Sequence, residues 1–207
     1  MKNIYLLAIG IFCSLSSLSY GQGGINYGLK GGLNLATAQL EASGMGMTLE
    51  FDTQYRTSFY AGAFMEYSLN GFSPNLFGQI EVQYVENGFK MEESELTSEF
   101  TSKMRQLNFP FLVKYRLVQR LMVTGGFYGG FVLDVQEEDG SETYDSTQDY
   151  ETFDAGFLIG AELPLNENFF VDARYNHGLV DLLALEVDGG SGNYKNRFIQ
   201  VGVGYKF

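Results

Sequence analysis

The stretch Arg197-Phe198-Ile199-Gln200-Val201-Gly202-Val203-Gly204-Tyr205-Lys206-Phe207 decides the fold. Ile199, Val201, Val203, Tyr205 and Phe207 fall on one side of a period-2 strand, and Gln200, Gly202, Gly204 and Lys206 on the other. At the edge of a soluble sheet such an apolar side invites pairing with other chains. It is tolerated where the sheet closes on itself and the apolar side meets lipid.

Upstream, seven more stretches alternate in the same way, near 25–36, 57–69, 76–86, 105–117, 121–135, 152–164 and 168–179. Leu76, Ile80, Val82 and Tyr84 oppose Gln79, Glu81 and Gln83. Leu107, Phe109, Phe111, Val113 and Tyr115 oppose Gln106, Asn108, Lys114 and Arg116. Leu121, Val123, Phe127, Phe131 and Leu133 oppose Thr124, Tyr128 and Asp134. Each has about the 9–11 residues of a tilted transmembrane strand, or slightly more. The connections alternate long and short. Short ones near Asn70–Asn75, Val118–Arg120 and Leu165–Glu167 carry turn formers. Long polar ones run near 37–56, 87–104, 136–151 and 180–196. The expected fold is all-β: an eight-stranded antiparallel up-and-down transmembrane β-barrel, with four loops outside.

The N-terminus fits this placement. Lys2, the apolar run Ile4 to Phe12 and small residues before Gln22 read as a signal peptide over 1–21, leaving 22–207 as one barrel domain in the outer membrane. Phe12 is too bulky for a lipoprotein signal at Cys13, so the processed chain has no cysteine for disulfides or thiolate chemistry. Glycine is abundant (26), proline scarce (3), tryptophan absent, and aromatics reach 15%.

Most of the net charge of −12 lies in the long loops, and the strands are close to neutral. Charges in the strands mostly have inward parity: Lys30, Glu66, Glu81, Lys114, Arg116, Glu162, Asp172, Arg174 and Lys206. Eight strands leave a lumen that side chains fill, so these charges are expected to pair as a network that plugs it. The same parity excludes a soluble barrel that collects its apolar residues inside, and a plugged lumen disfavours a pore. Outward aromatics sort by depth. Tyr27, Tyr67, Tyr115, Phe169, Tyr205 and Phe207 would ring one interface, and Phe59, Tyr84, Phe109, Phe131, Phe153 and Tyr175 the other.

The segments YGLKGGLNLA (27–36), QLNFPFLVKYRL (106–117), GGFYGGFVLDV (125–135), FVDARYNHGL (170–179) and NRFIQVGVGYKF (196–207) resemble motifs of the PorT-like outer-membrane β-barrel domain family of Bacteroidota-type bacteria. The resemblance implies a small barrel, no defined enzymatic activity, and a C-terminal aromatic signal (Val203, Tyr205, Phe207) read by the barrel-insertion machinery. Its namesake takes part in protein secretion, which makes an accessory role in envelope secretion or assembly the alternative to a structural or surface-interaction role.

Candidate chemistry is sparse, and neither a catalytic site nor a cofactor is expected. His177, the single histidine, has outward parity; Asp181 and Ser191 follow it without a nucleophile motif, so it reads as an interfacial residue and not a lipid-modifying centre. Glu137, Glu138, Asp139, Glu142, Asp145, Asp149 and Glu151 form a run without Lys or Arg. That run suits at most weak divalent-cation binding, and reads first as a solvated face extended by self-repulsion. Asp188-Gly189-Gly190-Ser191-Gly192-Asn193 reads as a flexible loop tip. The negative charge opposes nucleic-acid binding. The expected partners are outer-membrane lipid, the insertion machinery, and an extracellular or secretion-apparatus protein. Gly126 and Gly130 relieve crowding inside the barrel, and Pro110 demands a bulge or a missing ladder bond in its strand.

Overall fold

Period-2 alternation becomes strand along nearly the whole chain. The computed structural model describes residues 24–44, 47–91, 100–140, 142–183, 186–187 and 190–207; the signal-peptide reading and Cys13 lie outside them. The strands are β1 (Ile25–Gly44), β2 (Met47–Phe51), β3 (Arg56–Ser68), β4 (Leu76–Met91), β5 (Phe100–Val118), β6 (Leu121–Asp139), β7 (Glu142–Asp145), β8 (Phe153–Pro164), β9 (Phe169–Gly178), β10 (Glu186–Val187) and β11 (Gly190–Lys206). A 3-10 turn, Thr147–Asp149, precedes β8.

Eight of these form the ring, in the order β11-β9-β8-β6-β5-β4-β3-β1, and all their pairings are antiparallel. The ring closes where β1 pairs β11 from Gly28↔Lys206 to Gly44↔Gly190. β2, β7 and β10 are short strands added at the end of the long connections. Outward positions are apolar and exposed, among them Leu33, Val82, Phe111, Val113, Phe127, Ile159, Val201 and Val203. Inward positions of the same strands are buried and polar, which is the polarity a lipid-facing wall requires.

Three local expectations are revised. The long connections are in large part strand: β1, β4, β5, β6 and β11 run 16 to 20 residues, against 12 and 10 for β8 and β9. The longer strands project roughly 15–30 Å beyond the length a membrane crossing needs. Gly190, Ser191, Gly192 and Asn193, read as part of a loop tip, belong to β11 and pair with β1. The β5–β6 register shifts between Arg105 and Gln106: Gln106 faces Val132, and Arg105 faces Asp134. Leu133 is therefore an extra residue. This β-bulge turns Asp134 outward, against its expected parity, and sends Val135 fully inside.

Pro110 leaves the expected gap. The β4–β5 ladder runs from Leu76↔Tyr115 to Ile80↔Phe111 and resumes at Gln83↔Asn108 in unchanged register, while Pro110 keeps its partner Tyr128 on β6. The missing donor thus points at β4, where the closed ring loses the Glu81–Pro110 and Val82–Phe109 pairs without a bulge.

Candidate functional site: the filled lumen and the outer rim

Inward parity brings charged side chains from seven strands into the barrel. Nearest the short turns, Lys114 on β5 places Nζ 2.5 Å from Glu66 of β3, 2.5 Å from Glu162 of β8 and 2.9 Å from Gln79 Oε1. Lys206 of β11 reaches the same two carboxylates at 3.1 and 3.2 Å. The Phe170 ring lies 5.8 Å from Lys114 Nζ and 5.2 Å from Lys206 Nζ. Further up the lumen, Arg174 of β9 forms parallel hydrogen bonds to both oxygens of Glu81 and also donates to Asp172. Lys30 of β1 completes this group at 2.6 Å from Asp172 and 3.6 Å from Glu81.

Each group holds two acids and two bases and is neutral by itself. Buried ions stay in low-dielectric surroundings only where partners and hydrogen bonds replace their water. Glu81 has both: Gln79 and Gln83, its neighbours on the same inward face, each donate to one of its oxygens at 2.5 Å. Arg116, expected in the network, stands apart. It is exposed at the short-turn mouth, where the lumen opens to solvent, and its guanidinium lies 5.0 Å over the Phe77 ring.

Parity also assembles features that the charge list missed. Ala36, Tyr60, Val85, Leu112, Tyr128, Leu158 and Phe198 form an apolar layer inside the barrel. An amide layer lies beside it. Asn34 donates to Asn87, Asn87 to Gln106, and Gln106 to Asp154, which Asn196 also reaches at 2.8 Å. Asp154 shares its inward face with Glu162, so parity alone would have found it. Within the projecting strands a second apolar cluster closes the lumen: Ala38, Phe89, Met104, Val132, Val135, Leu182 and Tyr194, with Leu40, Met91, Phe100 and Tyr150 against it. The lumen is thus filled by two ionic groups, an aromatic layer, an amide layer and an apolar cap.

The other candidates do not assemble. His177 stacks on Phe157 at 4.7 Å, and its Nδ1 lies 3.1 Å from the Tyr175 hydroxyl. Asp181 is occupied elsewhere, accepting the backbone N–H groups of Leu183 and Tyr194. The acidic run is a folded hairpin and not a self-repelling coil. Glu138 pairs with Lys103, and Glu137 accepts hydrogen bonds from Ser146 and Tyr150. Thr147 donates to Asp145 through its hydroxyl and its backbone N–H, which holds that carboxyl below the usual range. Among the described residues no three His, Cys, Asp or Glu side chains are grouped to hold a metal ion.

On the outer wall the aromatics meet in two sets. Phe169–Tyr205 and Tyr205–Phe207 touch on the short-turn side at 4.9 and 5.5 Å. Phe59–Tyr84, Phe109–Phe131 and Phe131–Phe153 touch on the other side at 5.8, 6.3 and 5.9 Å. Between them lies an apolar band, aliphatic apart from residues such as Phe111 and Phe127, the profile of a wall set in a bilayer.

Comparison with known proteins agrees with this architecture. Neisserial surface protein A (NspA) superposes with a TM-score of 0.52 at 15% identity, over 90% of this chain and 99% of that one. Ail, the attachment invasion locus protein of Yersinia pestis, gives 0.44 at 15% identity over 90% and 100%. OprG from Pseudomonas aeruginosa gives 0.47 at 13% identity over 90% and 98%. At such identities the likeness to NspA speaks for the fold alone. No curated protein sequence matches the chain. The family model described as outer membrane protein beta-barrel domain matches residues 16–184, most of the chain. With the closed ring, the lipid-facing wall and this match together, the chain is a small barrel of the outer membrane and belongs to the outer membrane protein β-barrel domain family.

Proposed function

We propose that this barrel neither conducts nor catalyses, and that its work is done by the projecting outer strands, which present an acidic surface to an extracellular partner. One observation carries the reading: side chains fill the lumen at successive heights, from Lys114 and Glu66 to the apolar cap around Phe89 and Tyr194. A filled lumen offers no solute path, and the outward His177 has a ring and a phenol for neighbours in place of a nucleophile. Leu49, Phe51 and Tyr55 add exposed apolar surface around the β2 hairpin. Val203, Tyr205 and Phe207 are, in this reading, the signal by which the insertion machinery places the barrel.

The alternative, an accessory part in envelope secretion, rests on the resemblance of five segments to PorT-like proteins. Those segments contribute Lys30, Lys114, Asp172, Arg174 and Lys206 to the lumen, so they explain a shared wall more directly than a shared partner. Proximity labelling in cells separates the two. Label placed on the β6–β7 hairpin should capture surface or extracellular proteins, whereas label at the short turns capturing secretion components would favour the alternative. Discrete conductance steps from the refolded protein in planar bilayers would overturn the closed-lumen reading.

A further inference from the structure

We propose that Lys195, Arg197 and His177, side by side on the lipid-facing wall at its outer rim, form a site for the phosphate groups of an outer-leaflet lipid. Arg197 of β11 pairs directly with His177 of β9, one step beyond the Ile199↔Tyr175 pair, and Lys195 pairs with Gln39 of β1. All three share the outward parity of Ile199, Val201 and Val203. They therefore stand just above Tyr175, at the height where acyl chains give way to headgroups.

The opposite side of the rim treats its cations differently. There Arg105 is paired with Glu86 and Asp134, and Lys103 with Glu138. Among the described residues neither Lys195 nor Arg197 has a carboxylate within ion-pair distance. Two adjacent cations on an otherwise strongly acidic outer surface are complementary to an anion from outside the chain.

Arg197 is also held in place for that task. Nη1 donates to the Gly178 and Asn196 carbonyls at 2.7 and 2.9 Å, and Nη2 to Gln39 Oε1 at 2.7 Å. This leaves Nε–H and one Nη2 proton for an external acceptor. A fixed guanidinium loses little entropy on binding a phosphate oxygen. Beside it opens a groove of about 370 Å³ bordered by Thr37, Gln39, Phe51, Tyr55, Tyr175 and Arg197. Glu50 and Asp52 also line the groove. A phosphate is thus confined to the Arg197 end, and the sugar or glycerol part is directed toward Tyr55.

The test uses the full refolded barrel in detergent micelles, titrated with bisphosphorylated lipid A and read by native mass spectrometry. Lys195→Gln with Arg197→Gln should weaken lipid A binding by about tenfold or more, the equivalent of one charge-assisted hydrogen bond. Arg120→Gln, which removes an exposed cation at a short turn, should leave binding unchanged. Heat-modifiable migration verifies that each variant is folded, and Lys195→Gln alone keeps the test open if the double variant misfolds. Equal binding of dephosphorylated lipid A would overturn the proposal, as would wild-type affinity in the folded double variant or an equal loss with Arg120→Gln. Inorganic phosphate binding as tightly as the lipid would overturn the assignment to a lipid. None of these outcomes depends on whether the outer strands bind a protein.

Discussion

Arg174 and Glu81 stand on opposite walls of the barrel, four strands apart in either direction around the ring, and their two hydrogen bonds of 2.9 and 3.0 Å span the lumen. A planar guanidinium meeting a carboxylate edge-on fixes distance and orientation together. The pair therefore sets the barrel's cross-section as well as neutralising two buried charges.

Breaking one half should cost more than removing both. Glu81→Ala leaves Arg174 buried with Asp172 as its remaining acid, and a severed buried pair typically costs about 3–5 kcal/mol. The Glu81→Leu, Arg174→Met double variant leaves Lys30 and Asp172 as a balanced pair and should recover a substantial part of that loss. Urea unfolding of the barrel in lipid vesicles measures both. A double variant as unstable as the single one would show that the network acts as an indivisible unit.

Gly202 illustrates how the closure seam limits side chains. It pairs with Gly32 on β1 and Asp172 on β9, and a Cβ there would lie 2.3 Å from the Tyr60 hydroxyl and 2.6 Å from the Gly31 carbonyl. Tyr60 needs that space to donate to Asp172 across the lumen. Gly202→Ala should destabilise by about 1–3 kcal/mol through overpacking. Adding Tyr60→Phe removes one of the two close contacts, so the double variant should be less destabilised than the sum of the singles. Strict additivity in vesicle unfolding would count against this contact.

The transmembrane half was legible because its two periodicities reinforce one another: Val82 must face lipid if Glu81 faces in. The outer half was obscured because Lys103, Glu137 and Glu138 made it look like polar loop, although Ala38, Phe89 and Met104 in the same connections are inward apolar residues. No propensity announces the bulge at Leu133, since register is a property of two strands and not of one. Asp154 was visible by parity yet overlooked. Pro110 announced its effect directly, because a missing N–H is a local chemical fact. Pro110→Ala would restore a donor toward β4, gaining a hydrogen bond of about 1 kcal/mol and giving up about 0.4–1 kcal/mol of unfolded-chain restriction. Stability should change by less than about 1 kcal/mol, while the new amide at position 110 becomes protected from hydrogen exchange. A rapidly exchanging amide there would mean that the gap is open to water.

The apolar cap should yield separately from the membrane-embedded ring. Phe89 is 3% exposed and packs against Phe100 and Tyr194 at 5.9 and 5.8 Å. Truncating a buried phenylalanine costs about 3–5 kcal/mol, and local openings follow the least stable unit. Phe89→Ala should therefore raise protease cleavage in the outer strands, with the protected barrel core and its heat-modifiable migration retained. Simultaneous loss of both would show that cap and ring unfold together.

Phe207 separates assembly from stability. Its backbone N–H donates to the Tyr27 carbonyl at 2.9 Å, a bond that survives side-chain truncation, while its ring packs edge-on against Tyr205 on the lipid-facing wall. Phe207→Ala removes partly exposed apolar area, so the refolded barrel should lose no more than about 1–2 kcal/mol. If the ring is read by the insertion machinery, the same variant should sharply lower the amount of assembled barrel in cells. Cell-surface levels and in-vitro unfolding, measured side by side, decide the matter: losses in proportion would reduce Phe207 to an ordinary member of the aromatic ring.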